Sequence, residues 1–238
     1  MSNTQTSTFT DSALSDKVKQ FLTRFKDKQG NYRYVDAIDS MMPKNAKYIV
    51  VDYNDLVTEP EIEIIFSENP DRIFDAFGRA IKEALQTRFP SYAEKIKEEV
   101  RVRIANFPLE RSLRQINAET IGNITSVSGM VVRASEVKPL AKELVFTCPD
   151  EHVTKIIQLK GMDAKIPVIC DNPSCKQRDF ELKPEASKFI DFQILRLQEL
   201  PEDLPPGQLP HYVDVTIRQD LVDNSRPGDR IILTGVVR

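Results

Sequence analysis

The sequence predicts an α+β chain in three parts: a helical bundle, a small five-stranded β-barrel after it, and a segment inserted into the barrel. Three observations carry this. Apolar residues recur at helical spacing up to about residue 100. Runs of Val, Ile, Thr and aromatics between turn signals take over after Asn106-Phe107-Pro108. All three cysteines and one of the two histidines fall in one short stretch of the second half. The expected boundaries are 1–107 for the helical subdomain, 108–145 plus 186–238 for the barrel, and 146–185 for the insertion.

Residues 1–10 are polar and read as a frayed tail. Asp11 or Ser12 can then cap a helix that puts Leu14, Val18, Phe21, Leu22 and Phe25 on one face. Gly30-Asn31 breaks it, and Tyr48–Tyr53 is short and β-branched enough for one strand. Asn69-Pro70-Asp71 is a start signal, with proline at the first helical position and an acid in the first turn. From it runs the stripe Ile73, Phe74, Phe77, Ala80, Ile81, Ala84 and Leu85, stopped by Pro90. A further helix over Tyr92–Val100 follows.

The strands expected beyond residue 108 are Ile121–Val132, Lys142–Phe146, Lys155–Leu159, Lys188–Leu197, Tyr212–Ile217 and Arg230–Val237. Gly129 marks a bulge or bend within the first. In Lys188–Leu197, Ile190, Phe192 and Ile194 alternate with Asp191 and Gln193. About five core strands with one long excursion in the middle describe a closed Greek-key barrel of the OB type; a sandwich is the alternative. Pro201–Pro210 carries four prolines and a glycine and reads as a stiff loop.

With 40% hydrophobic and 29% charged residues in 238, the composition is that of a folded domain rather than a disordered chain. No apolar run reaches the roughly 20 residues a membrane helix needs, and there is no secretory signal. A cytoplasmic chain with reduced thiols is the expectation, and three cysteines do not make a disulfide framework. The net charge of -3 is evenly spread, with 16 Lys+Arg against 17 Asp+Glu in residues 1–108 and 17 against 19 in 109–238. Any nucleic-acid binding must therefore come from local patches, alone or summed by oligomerisation.

The sharpest chemical signal is Cys148-Pro149-Asp150-Glu151-His152 followed by Cys170-Asp171-Asn172-Pro173-Ser174-Cys175. Two close pairs joined by a longer loop are how one chain supplies four tetrahedral ligands to zinc, so Cys148, His152, Cys170 and Cys175 are the expected ligands. Four protein donors close the site, and the deaminase pattern is absent, which makes the zinc structural. It staples an excursion too small to build its own core. A zinc hydrolase would need an open position beside a base such as Glu151. No G-x-x-x-x-G-K-[ST] or G-x-G-x-x-G run occurs, so ATP binding by this chain and catalysis are not expected.

An OB barrel binds single strands by combining a positive groove with sequence-tolerant contacts. Between Arg111 and Arg196 there are 13 basic and 11 acidic residues; between Glu199 and Asp223, Arg218 faces six acids. Arg133 and Lys138 flank the end of the first barrel strand, and Arg196 lies on the alternating later one. These three are the DNA-binding candidates.

Several of these stretches resemble one family. Ser112-Leu113-Arg114 and the run Ile124–Pro139 are similar to the start of the OB domain of minichromosome maintenance (MCM) proteins. So are Asp191-Phe192-Gln193, Leu197-Gln198-Glu199, Pro205–Pro210, Asp220-Leu221-Val222-Asp223 and Arg226–Arg230 with Leu233-Thr234-Gly235. The resemblance covers residues 108–238; residues 1–107 fit by position and class. It implies the N-terminal module of a replicative helicase, archaeal in its undecorated architecture and nucleoid-associated. Such a module forms a homo-hexameric ring around single-stranded DNA, with double-stranded DNA as the alternative and a head-to-head double hexamer as a further state. A C-terminal AAA+ domain of the same polypeptide would supply ATP hydrolysis. Arg133 and Arg196 match the family's basic positions, and Lys138 lies close along the same loop. The family often uses C-x2-C pairs, whereas here His152 is the second ligand and both pairs are wider. A free-standing OB and zinc-ribbon protein that binds single-stranded nucleic acid is the alternative function.

Overall fold

The computed structural model describes residues 10–96, 100–108, 110–157 and 166–238. The chain forms two units, one of residues up to Ser128 with Ile232–Arg238, the other of Gly129–Ile231.

The first unit is mainly helical. Its elements are α1 (Asp11–Arg24), α2 (Arg33–Asp39), α3 (Met41–Lys44), β1 (Tyr48–Asp52), α4 (Tyr53–Leu56), α5 (Pro60–Glu68), α6 (Pro70–Arg88), α7 (Pro90–Lys95) and β2 (Arg101–Ala105). The cap of α1 is Thr10, whose hydroxyl accepts from the Ala13 N–H, one residue earlier than expected. The stripe Leu14, Val18, Phe21 and Leu22 is buried as its spacing requires. Asn69 caps α6 and Pro70 begins it; Ile73, Ala76, Phe77, Ala80, Ile81 and Leu85 are buried, while Phe74 and Ala84 pack at the edge of that core. Tyr34 and Phe66 from α2 and α5 are buried in the same core.

β1 is a strand where one was expected, but it pairs in parallel with β2, Tyr48 opposite Arg101 through Asp52 opposite Ala105. β2 was not legible: five residues, in a stretch otherwise read as helical, carry too little period. Where a helix is expected over Tyr92–Val100, α7 starts two residues earlier, with Pro90 at its first position, and ends at Lys95, where the Ile96 N–H caps onto the Tyr92 carbonyl; residues 97–99 lie outside the described ones. Gly78 in α6 matters for this packing. A Cβ there would sit 3.1 Å from the Val100 carbonyl oxygen, tighter than an ordinary van der Waals contact, so any larger residue presses on the chain entering β2.

The remaining strands are β3 (Glu110–Arg111), β4 (Ile124–Ala134), β5 (Lys138–Thr147), β6 (Val153–Ile157), β7 (Glu181–Leu182), β8 (Lys188–Gln198), β9 (Tyr212–Arg218) and β10 (Arg230–Val236). They form a mostly antiparallel, OB-like sheet ordered β10-β4-β8-β5-β6, with β3 on β4, β7 on β5 and β9 on β8. β8 is the hub. β4 and then β5 run end to end along one edge of it, and β9 runs along the other. At the junction the ladder continues through Ser135, whose N–H donates to the Ile194 carbonyl while its Oγ accepts from the Ile194 N–H. Leu195, Leu197, Val131 and Ile217 supply the buried face.

The expected closed barrel is not found. Among the described residues the strand order is an open path, because the far end of β5 leaves β8 and pairs with β6 and β7. Those backbone hydrogen bonds carry the ladder out into the inserted segment. Two details of the expected alternation also differ. The bulge lies between Val131 and Arg133, not at Gly129. Gln193 faces inward and is buried beside Leu195; its amide donates to the Ser135 carbonyl and its oxygen accepts from the Asp223 N–H, so its burial leaves nothing unpaired. Among the described residues no helix is long and apolar enough to cross a membrane.

Candidate metal centre and nucleic-acid interface

β5 and β6 form a hairpin whose last rung pairs Thr147 with Val153. The turn between them carries Cys148 and His152. It is closed by the Cys148 N–H to the His152 carbonyl and the Glu151 N–H to the Cys148 carbonyl, with Glu151 at φ 61. A second turn carries the other pair. The Cys170 N–H donates to the Gln177 carbonyl, the Cys175 N–H to the Asn172 carbonyl, and the Asn172 side chain accepts from the Ser174 N–H. Proline, aspartate and asparagine at these positions favour such tight reversals.

The two turns bring together all four residues singled out by the spacing. Their donor atoms lie within 4.8 Å of one another. Cys148 Sγ is 3.9 Å from the sulfurs of both Cys170 and Cys175, and 3.5 Å from His152 Nδ1. A tetrahedral zinc with Zn–S near 2.3 Å and Zn–N near 2.0 Å separates its ligands by about 3.8 Å for S···S and about 3.6 Å for S···N. The donor set and its spacing therefore fit zinc. The three thiols are free and buried, with Phe180 packed against them. Burial pushes the Cys148 thiol up, but the N–H groups of His152 and Asp150 outweigh it and bring it down to about 7. For Cys175 the Gln177 N–H lowers the value, yet burial and the contact with Asp150 Oδ2 at 3.3 Å win, and the thiol stands at about 12.

The second group of candidate residues is on the sheet. Val131 opposes Leu197 and Arg133 opposes Arg196, so Val132 is an extra residue in β4. Val131 is buried against the core; without the bulge, Arg133 two positions on would point the same way. The bulge turns it outward instead, level with Arg196 on the exposed face. Lys138 is exposed too and lies opposite Phe192, which shares the outer face with Arg196. Four residues of strand separate the two rungs, roughly 13 Å. The structure thus brings Arg133 and Arg196 together and sets Lys138 apart on the same face.

Sequence reasoning missed two members of this face. Arg218 on β9 lies opposite Phe192, on the rung of Lys138. Asp214 lies opposite Arg196 and takes its guanidinium in a fork, Nε to Oδ1 and Nη2 to Oδ2, both at 2.7 Å. These hydrogen bonds, with the charges of Arg196 and Arg133, hold the Asp214 carboxyl below its usual range and raise Arg196 further. The signal for both was the alternation Tyr212, Asp214, Thr216, Arg218, which places four polar-tipped residues on one side of a strand.

The family model for the MCM N-terminal domain matches residues 15–106, and that for the MCM OB domain matches residues 112–238. The chain belongs to the MCM family. An MCM relative, the minichromosome maintenance protein of Saccharolobus solfataricus, is 31% identical over 234 residues, covering 92% of this chain and 32% of that protein. The DNA replication licensing factor mcm2 of Schizosaccharomyces pombe is 31% identical over 229 residues, covering 94% of this chain and 27% of its own length. The maternal DNA replication licensing factor mcm6 of Xenopus tropicalis is 30% identical over 231 residues, with 94% and 28% covered. The chain spans about a third or less of the length of these MCM relatives. Archaeal and eukaryotic MCM proteins match it at nearly the same identity, which does not separate the two lineages.

Proposed function

We propose that this chain is the non-catalytic, DNA-binding and ring-forming N-terminal module of a hexameric replicative helicase. It encircles single-stranded DNA and positions it for a C-terminal AAA+ motor on the same polypeptide, which binds and hydrolyses the ATP. Residues 1–107, 108–145 with 186–238, and 146–185 act as helical, OB and zinc-binding subdomains. Zinc held by Cys148, His152, Cys170 and Cys175 is structural, since four protein donors converge and leave no position for a reacting water. Two such rings can meet head to head. The setting is the nucleoid.

The observation that carries the DNA-binding part is the outward row Arg133–Arg196 on an OB-like sheet of an MCM chain. A net charge of -3 provides no broad electrostatic footprint, so affinity must come from a few placed cations repeated around a ring. Binding is weak per subunit, sequence-tolerant and salt-sensitive. Replacing Arg133 and Arg196 together by Ala lowers single-strand affinity and flattens its salt dependence, by about 0.7 of log–log slope for each phosphate that is no longer neutralised. Fluorescence anisotropy with a labelled oligothymidylate over a salt series reads both. Wild-type affinity and slope in the double variant, with zinc content and particle mass unchanged, would contradict the assignment.

A further inference from the structure

Three adjacent strands place Arg133, Arg196 and Asp214 in one exposed row. Side chains directly opposite across a ladder sit about 5 Å apart, and two like charges so placed repel. Asp214 relieves that repulsion, and it does so in a particular geometry. Its two oxygens take two N–H groups of Arg196 at 2.7 Å each, the planar fork by which a guanidinium also grips a phosphate. The pair is half-exposed on both sides, so an incoming anion reaches it without unfolding anything.

We infer that Asp214 is an internal stand-in for phosphate that gates Arg196: a single strand takes the Nε–Nη2 edge of Arg196 in a two-point fork only by displacing the Asp214 carboxylate. This rests on the reading of Arg133 and Arg196 as the single-strand contact. The exchange breaks one charge-assisted fork and forms another of the same kind. Its net gain is small, and it disfavours isolated anions more than a polyanion held at several points. Asp214 therefore sets a threshold: the free protein presents Arg133 with a neutralised neighbour, and only a strand already held elsewhere on the face opens the second arginine. A residue that merely stabilises the sheet would behave in the opposite way, since its loss would loosen the row and weaken binding.

The experiment compares wild type, Asp214→Asn, Arg196→Ala and the double variant for binding of fluorescein-labelled oligothymidylate across a salt series. Asp191→Asn, the same charge change on the opposite side of β8, is the control for net charge. Asp214→Asn is expected to bind roughly two- to fivefold more tightly per protomer, the range for freeing one exposed ion pair, with a steeper salt slope. Arg196→Ala abolishes that gain, and Asp191→Asn gives less of it. Unchanged or weaker binding by Asp214→Asn, with Arg196→Ala weakened, overturns the gate and leaves the arginine contact standing. An equal gain in the Arg196→Ala background or in Asp191→Asn makes the effect one of net charge and also overturns it. If Arg196→Ala binds like wild type, both the contact and the gate fail. Thermal unfolding of each variant identifies any that bind poorly because the sheet is disrupted.

Discussion

One extra residue, Val132, decides which way Arg133 points. Val131 and Arg133 are two apart and would share a face on a regular strand; the bulge separates a buried valine from an exposed arginine. A comparable single-residue device sits in α6. Alanine at Gly78 would gain up to ~1 kcal/mol of helix propensity. Its Cβ would press on the Val100 carbonyl, and overpacking of this kind costs about 1–3 kcal/mol. Gly78→Ala is expected to lower the denaturation midpoint; a raised midpoint would mean that β2 simply moves away.

Asp52 supplies a pH dependence at the same scale. It caps α4 by accepting from the Asn54 N–H, its other oxygen accepts from Asn106, and Arg33 lies close. Burial pushes its carboxyl up, but these donors together hold it below the usual range. A lowered folded value means stability present above the unfolded pKa near 4 and lost as the pH falls through the folded value. Acid titration of unfolding should show Asp52→Asn less stable at neutral pH and flatter as the pH falls below about 4. Parallel curves for the two proteins would exclude this role.

Among the elements, β5 buries Leu144, Val145 and Phe146, but the two turns that carry the four ligands gather, among the described residues, around the thiols and Phe180. Removing zinc with a chelator, or Cys170→Ser, should unfold this segment and leave the helical core intact, since Leu14, Phe66, Phe77 and their neighbours form a separate cluster. Metal analysis is expected to return one zinc per protomer for wild type and none for the variant. Far-ultraviolet circular dichroism should keep its helical signal; stoichiometric zinc in a Cys148/Cys170 double variant would overturn the ligand set. Much of this was legible. The stripes of α1 and α6, six of the eight strands described beyond residue 108 and the four-residue Cys/His cluster follow from period and spacing; the end of the expected strand Lys155–Leu159 lies outside the described residues. What was hidden depended on partners distant in sequence: β2 needs β1, the inward Gln193 needs Ser135 and Asp223, and the direction of Arg133 needs the register of β8. Closure of the barrel was misread for the same reason. Local alternation says that a strand exists, not which edge it will join.

At the scale of the whole molecule, the proposed reading carries one expectation. If Arg133 and Arg196 are the single-strand contact, a chain of net charge -3 binds weakly alone and repetition around a ring makes those rows sum. The DNA reading therefore depends on ring formation. Light scattering of the purified chain, with and without single-stranded DNA, tests it. The expected result is a particle of about six protomers of 27.2 kDa each, retained or reinforced when DNA is added. A chain that stays monomeric at all concentrations, and binds single strands one protomer at a time, would contradict it.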